Sequence, residues 1–239
     1  MQTVPTPALR TSPNKLLASL PAGDYRRLLP LLRAMSLPFQ HVLLKPTGTL
    51  STIYFPGDGA YSITQVMKSG RTVEVATVGN EGFIGINALF HGHRWLAGAV
   101  VKVPDPVAHA MSIRAFRHEM NRRGRFAEAI NRYAEGFVAS LMRSVACNAL
   151  HSVEQRCARW LLTTRGRVHR NEFPLTQEFL ALMLGVRRPT VTLALGTLQR
   201  RGLIEYGRRR LVVLDPAGLE AASCECYSAV TRHFVRLFS

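Results

Sequence analysis

Arg187, Arg188, Pro189, Thr190, Thr192, Leu193 and Arg200 stand close together in the last third of the chain, and Arg208, Arg209 and Arg210 follow as an unbroken run. A guanidinium is a planar fork of donors that can hold a phosphate, or the O6 and N7 of guanine, through two parallel hydrogen bonds. Threonine hydroxyls add contacts to phosphates or base edges, and an apolar side chain can touch a thymine methyl. Such a set recognises; it does not react. No Ser/His/Asp, Cys/His or metal-ligand motif accompanies it, so the chain is expected not to be an enzyme.

These residues need a scaffold, and the stretch from Leu175 to Val213 supplies one. Leu180, Leu184, Val186, Val191 and Ala194 fall where two crossing helices bury side chains, Ala181 is small where they approach, and Gly185 suits the turn between them. Thr176 is placed to cap the first helix, with Glu178 favourable in its first turn. Arg188 precedes proline and is therefore expected as the cap of the second helix, with Pro189 in its first turn. Stepping 100° per residue turns Val191, Ala194, Leu195 and Leu198 inward. Pro189, Thr192, Leu193, Gly196 and Arg200 then face outward, with Thr190 at the flank. Ile204 to Val213 reads as a hairpin with Gly207 at its turn and Arg208 to Arg210 at its tip. The pattern predicts a winged helix-turn-helix that lays its second helix in the major groove.

Composition agrees with a polyanionic partner. The formal charge is +16, with 31 Lys and Arg against 15 Asp and Glu, and only Lys15, Lys45, Lys68 and Lys102 are lysines. From His151 onward 14 arginines face 7 acidic residues, a difference of +7. No long apolar span and no signal-peptide core are visible, so no membrane partner and a cytoplasmic location are expected. Cys147, Cys157, Cys224 and Cys226 lack the paired spacing of a zinc site and read as reduced thiols, with no metal and no cofactor expected.

Ahead of the helix-turn-helix, residues 1–14 read as a loose arm and Lys15 to Met35 as two or three short helices broken by Pro21 and Pro30. From Phe39 to Met111 the period shortens. The runs HVLLK, TIYF, AYSITQVM, TVEVATV, AGAVVKV and PVAHAM, punctuated by glycines and prolines, suit a β-sandwich or jelly roll, with a hairpin at Lys68 to Arg71. A short helix IRAFRHEM precedes a long one from Arg123 to Leu150, whose Phe126, Ile130, Tyr133, Phe137, Leu141 and Val145 recur every three or four residues. A long helix between two domains has little of its own chain to cover such a stripe, so these six residues are expected to form a coiled-coil seam with a second copy. Ser152 is the expected cap of a further helix, ended near Gly166. The fold class is α+β: a β-sandwich (jelly roll) domain over residues 15–122, a dimerisation helix over 123–150 and a winged helix-turn-helix over 151–239.

In this order of parts the chain resembles the Crp/Fnr family of bacterial transcription regulators. The resemblance covers about residues 15 to 215, and its most specific segments are LTQEFLALMLGVRRPTV from Leu175 and RGLI from Arg201. It implies a homodimer that binds a two-fold symmetric DNA site, contacts RNA polymerase and answers to a small-molecule effector. Members that bind cyclic AMP carry Gly-Glu in the glycine-rich turn and an Arg-Ser pair soon after. Here Gly85 is followed by Ile86, and Arg94 by Trp95. Ile86 cannot accept from a ribose hydroxyl, and an unpaired buried hydroxyl costs roughly 1–3 kcal/mol, so no cyclic AMP response is expected. Arg94 is left as a lone phosphate ligand or a solvated arginine. The positions that offer polar groups to adenine fall on Leu141 and Met142. The iron-sulfur branch uses an N-terminal cysteine cluster, and no cysteine precedes Cys147. His41, His91, His93 and His109 are haem ligands or surface histidines. In relatives that read a G-containing half-site, the Arg, Glu and Arg of the recognition helix correspond to Arg188, Pro189 and Leu193. The competing reading keeps the fold but makes it a ligand-binding module that acts through protein partners.

Overall fold

The computed structural model describes residues 12–90 and 97–238, leaving the expected ligand Arg94, with His91 and His93, and most of the N-terminal arm outside the described residues. Ser12 and Asn14, at the end of the expected arm, are buried. Asn14 is fully buried, its carbonyl caps helix α1 (Lys15–Ala18) by accepting from the Leu17 amide, and its side-chain amide donates to the Pro56 and Gly82 carbonyls at 2.8 Å each. Pro21 caps α2 (Ala22–Leu28), and Pro30 sits in the 3-10 turn Leu29–Leu31. The chain is extended before Met35, in β1 (Arg33–Leu37), because pairing with a distant strand overrides the local leucine-rich signal.

The expected strands follow: β2 (Val42–Leu44), β3 (Thr52–Phe55), β4 (Ala60–Val66), β5 (Thr72–Val78), β6 (Gly98–Val103) and β7 (Asp105–Ser112). They make two antiparallel sheets, β1-β7-β3 and β2-β6-β4-β5. Leu37, Ile53, Phe55, Tyr61 and Val101 are buried in one core with Phe83 and Ile84. At the β4–β5 hairpin Gly70 takes φ 77°, a left-handed angle that glycine adopts without cost. Asp105 is buried and accepts from the Gly57, Asp58 and Val107 amides and the Tyr61 hydroxyl, which ties the start of β7 to β4.

Ser112 caps α3 (Ile113–Asn121), and α4 (Arg125–Leu150) runs 26 residues, about 39 Å at 1.5 Å per residue. Most of the expected dimer seam is covered by the chain itself. Phe126, Ile130, Tyr133 and Phe137 are all under 9% exposed within their own chain. Their cover is a run of aromatic rings: Phe126 meets Phe55 and Phe116, and Tyr133 meets Phe83, Phe137 and Phe234. Leu141 packs at the edge of the same core. Only Val145, 72% exposed, remains available to a partner. The exposed face of α4 is a different one, formed by Val138, Met142, Val145 and Ala149. Their 4-3-4 spacing is that of a coiled-coil seam.

Helix α5 (Val153–Val168) opens with the expected cap, a capping box between Ser152 and Gln155. It runs through Gly166 and ends at His169, which takes the left-handed angles (φ 49°) expected of a terminating residue. Then come β8 (Glu172–Pro174), α6 (Gln177–Leu184), α7 (Arg188–Arg200), β9 (Ile204–Gly207), β10 (Arg210–Val213), α8 (Pro216–Ala222) and α9 (Cys226–Phe238). Strand β8, hidden in a polar stretch, joins a three-stranded sheet β8-β10-β9. Helix α9 leaves the winged unit and returns to α4: Phe234 stacks near Tyr133, and Arg132 donates to the Leu237 carbonyl. Among the described residues, no single helix is long and apolar enough to cross a membrane.

Candidate nucleic-acid interface

Helix α6 begins as its first residues dictate: the Thr176 hydroxyl accepts from the Phe179 amide at 3.1 Å, satisfying one of the free donors of the first turn. Gly185 ends it at φ 67°, and the chain bends by 104° into α7, within the range of a helix-turn-helix. Arg187, not Arg188, is the cap of α7. Arg188 is already helical, against the preference that proline imposes on its predecessor, and Pro189 still lies in the first turn, where no amide is needed.

The facing of α7 follows the 100° step. Val191, Ala194, Leu195 and Leu198 are buried against Leu161, Leu180 and Leu203. Arg187, Arg188, Pro189, Thr192, Leu193 and Arg200 are exposed, Thr190 and Gly196 are half-buried, and Leu193 at 72% exposure is a large apolar side chain on an otherwise polar face. Arg188 is already oriented: its guanidinium donates to Gln177 at 3.3 Å and pairs with Glu178 at 3.0 Å, and the Thr192 hydroxyl donates to the same Gln177 oxygen at 2.9 Å. Thus the first helix of the motif sets the side chains of the second.

The wing differs from expectation in detail. Gly207 is the last residue of β9, and the two-residue turn is Arg208-Arg209, at φ 49° and 61°. Both angles are those of a type I′ hairpin, which favours Asn-Gly; arginine there is strained by about 1–3 kcal/mol per residue. Arg210 is not at the tip. It lies in β10 and grips Glu172 of β8, with one hydrogen bond of 2.9 Å, while Arg208 and Arg209 have no salt-bridge partner among the described residues.

The winged unit is docked on the sandwich. Trp160 of α5 donates to Glu74 of β5 at 3.1 Å, Arg167 pairs with Glu81 at 2.7 Å, and the Asn80 amide nitrogen lies 3.1 Å from His169 Nε2. Lys102 is buried between the halves, 3.9 Å from Glu74. A cleft of about 480 Å³ opens between β5, α4, α5 and α9, with Arg156, Arg159 and Arg167 among its walls. Of the pocket residues expected from sequence, Gly85 and Ile86 are not among its walls, and Arg94 lies outside the described residues. Gly85 (φ 116°) sits where a side chain would strike Ile53, and Ile86 packs against the sandwich core.

A second constellation was missed from sequence. Cys147, His151, Cys224 and Cys226 bring one ligand atom each to within 4.8 Å of one another, and the three cysteines are buried. The four cysteines are free thiols, as expected, but three of them lie together, which their spacing in the sequence does not show. Cys147 and His151 are four apart, one turn of α4, so they share a face. Cys157 stays apart, buried in the winged unit. The i, i+4 pair was the available signal; its meeting with Cys224 and Cys226 required the fold.

A family model of a Crp-like helix-turn-helix domain matches residues 155–222. Among solved structures, the chain is similar to the c-di-GMP-responsive global regulator CLP of Xanthomonas campestris (17% identity, 81% of this chain and 99% of that one, TM-score 0.66). It is also similar to a CRP-family transcriptional regulator of Thermus thermophilus (21%, 80% and 99%, TM-score 0.65) and to FixK2 of Bradyrhizobium japonicum (16%, 81% and 98%, TM-score 0.61). At these identities the likeness is one of fold. No curated protein matches the sequence. Residues 155–222 match the Crp-like helix-turn-helix domain, and the chain as a whole shares the fold of solved CRP-family transcription regulators.

Proposed function

We propose that the chain is a homodimeric, sequence-specific DNA-binding transcription regulator that does not answer to cyclic AMP. The observation that carries this reading is the exposed face of α7, where Arg187, Arg188, Thr192, Leu193 and Arg200 stand clear of the core beside a wing tipped by Arg208 and Arg209. Arg188 reads guanine, Leu193 and Pro189 meet thymine methyls, and Arg208 and Arg209 hold phosphates.

The pairing of two copies rests on Val138, Met142, Val145 and Ala149, whose exposed stripe would place two winged units side by side on a two-fold symmetric site. Against a cyclic AMP response stands Ile86, an apolar side chain packed on the core where a ribose would need an acceptor. The arginine-walled cleft between the halves is the better seat for an anionic effector. Selection of bound duplexes from a random pool tests the function. Enrichment of a two-fold symmetric motif supports it, and a protein that retains no duplex at low salt, while still pulling down protein partners through the same arginines, favours the competing protein-binding reading.

A further inference from the structure

We infer that Cys147, His151, Cys224 and Cys226 form a tetrahedral site for one Zn²⁺ that fastens the hinge between the long helix and the winged unit to the C-terminal helix. The four donors come from two places far apart in the chain: Cys147 and His151 close the last turn of α4, and Cys224 and Cys226 flank the entry to α9. Three thiolates and one imidazole are a structural zinc donor set, and soft sulfur ligands select zinc over harder divalent ions.

The spacing is that of a single ion. Zinc–sulfur bonds of about 2.3 Å at tetrahedral angles put ligand sulfurs about 3.8 Å apart. Cys147 Sγ and Cys224 Sγ lie 3.5 Å apart, and Cys226 Sγ lies 3.8 Å from His151 Nδ1. A multi-iron cluster needs its ligands spread around several metal atoms, which a set confined within 4.8 Å does not allow.

The surroundings are those of a ligating histidine. With Nδ1 turned to the sulfurs, the other ring nitrogen, Nε2, lies 3.1 Å from the Glu225 carboxylate. A carboxylate on the far nitrogen fixes the tautomer and raises the basicity of the ligand. Zinc binding displaces three thiol protons to solvent and leaves a site of net charge −1. Arg159 acts electrostatically on Cys147, and Arg156 on Cys147 and Cys224, so positive charge offsets it.

The position gives the ion a task. His151 is the residue between α4 and the Ser152 cap of α5, and so lies at the joint where the winged unit leaves the long helix. One ion there pins that joint to α9, which in turn lies along α4 beside Gly136 and Tyr133.

The test uses the full chain purified without a metal-affinity tag and under reducing conditions, with metal measured by plasma mass spectrometry. One zinc per chain is expected, and X-ray absorption should show three sulfurs and one nitrogen about the ion. Cys224→Ser and Cys226→Ser should lower the zinc content several-fold, and Cys157→Ser should leave it unchanged. Glu225→Gln keeps the ligands and should weaken zinc affinity by about 10- to 100-fold. If the ligand variants do not fold, Co²⁺ added to the metal-stripped wild type still decides the matter: intense visible bands of a tetrahedral thiolate site support the proposal. Zinc-free protein that binds no Co²⁺, an iron-sulfur chromophore, or a Cys147–Cys224 disulfide as the native form would overturn it.

Discussion

The Nζ of Lys102 lies 3.4 Å from the centroid of the Trp160 ring. The lysine belongs to the sandwich and the tryptophan to the winged unit, so one buried contact joins the half that could sense a signal to the half that could read DNA. Burial pushes the Lys102 ammonium down to about 7, against the opposing pull of Glu74, with Arg167 and Arg159 pushing the same way as burial. Between pH 7 and the ordinary lysine value of about 10.5, the unfolded chain therefore binds more protons than the folded one, and stability must rise with pH. The burial penalty is fully present below pH 7 and relieved above it. Melting temperatures of the wild type should rise from pH 7 to 9 relative to Lys102→Met, which removes the titrating group. Parallel profiles would show that the ammonium is not the source.

The recognition helix gives a prediction about specificity. Arg188→Ala should weaken binding to the preferred duplex by about 1–3 kcal/mol and relax the preference at one base pair in each half-site. Arg208→Ala should weaken specific and random duplexes alike, because a phosphate contact carries no base information. Fluorescence anisotropy on both duplexes separates the outcomes. With a dimer that neutralises on the order of 8 phosphates, log affinity should fall against log salt with a slope near −7 for the wild type, and less steeply for the Arg208 variant.

Strain in the wing predicts an exchange of stability for function. Arg208 and Arg209 occupy left-handed angles that Asn and Gly take more readily. The double change Arg208→Asn, Arg209→Gly should raise the melting temperature by a few degrees while lowering DNA affinity. A variant that is neither more stable nor weaker in binding would separate the turn from the DNA contact.

The seam on α4 is tested by charge. Met142→Glu and Val145→Glu bury like charges at the proposed two-fold contact and should turn a dimer into a monomer by analytical ultracentrifugation, with the fold intact. Tyr133→Ala cuts into the aromatic core instead, and should cost about 3–5 kcal/mol of stability by analogy with large-to-small aromatic changes. Dimers that survive both glutamates would place the contact elsewhere.

Local chemistry was legible in the sequence wherever the partner lies within a turn or two. Thr176 and Ser152 cap their helices because a hydroxyl reaches an amide three residues on, Gly185 takes its positive φ, and the inward face of α7 follows from a 100° step. Periodicity also showed that one side of α4 is apolar. It could not show what covers that side, and the cover is the chain's own Phe55, Phe83, Phe116 and Phe234 rather than a second copy. Likewise Cys147 and Cys224 are 77 residues apart, and only the return of α9 to α4 brings them together. Strands β1 and β8 escaped for the same reason, since each is made extended by a partner distant in sequence.

The most direct test of the central claim is selection of duplexes from a random pool by the wild type and by the Arg188→Ala variant, followed by sequencing. A two-fold symmetric motif with guanine in each half-site, its preference at that base lost in the variant, is the predicted result. A wild-type pool no richer in any motif than the input would contradict the account.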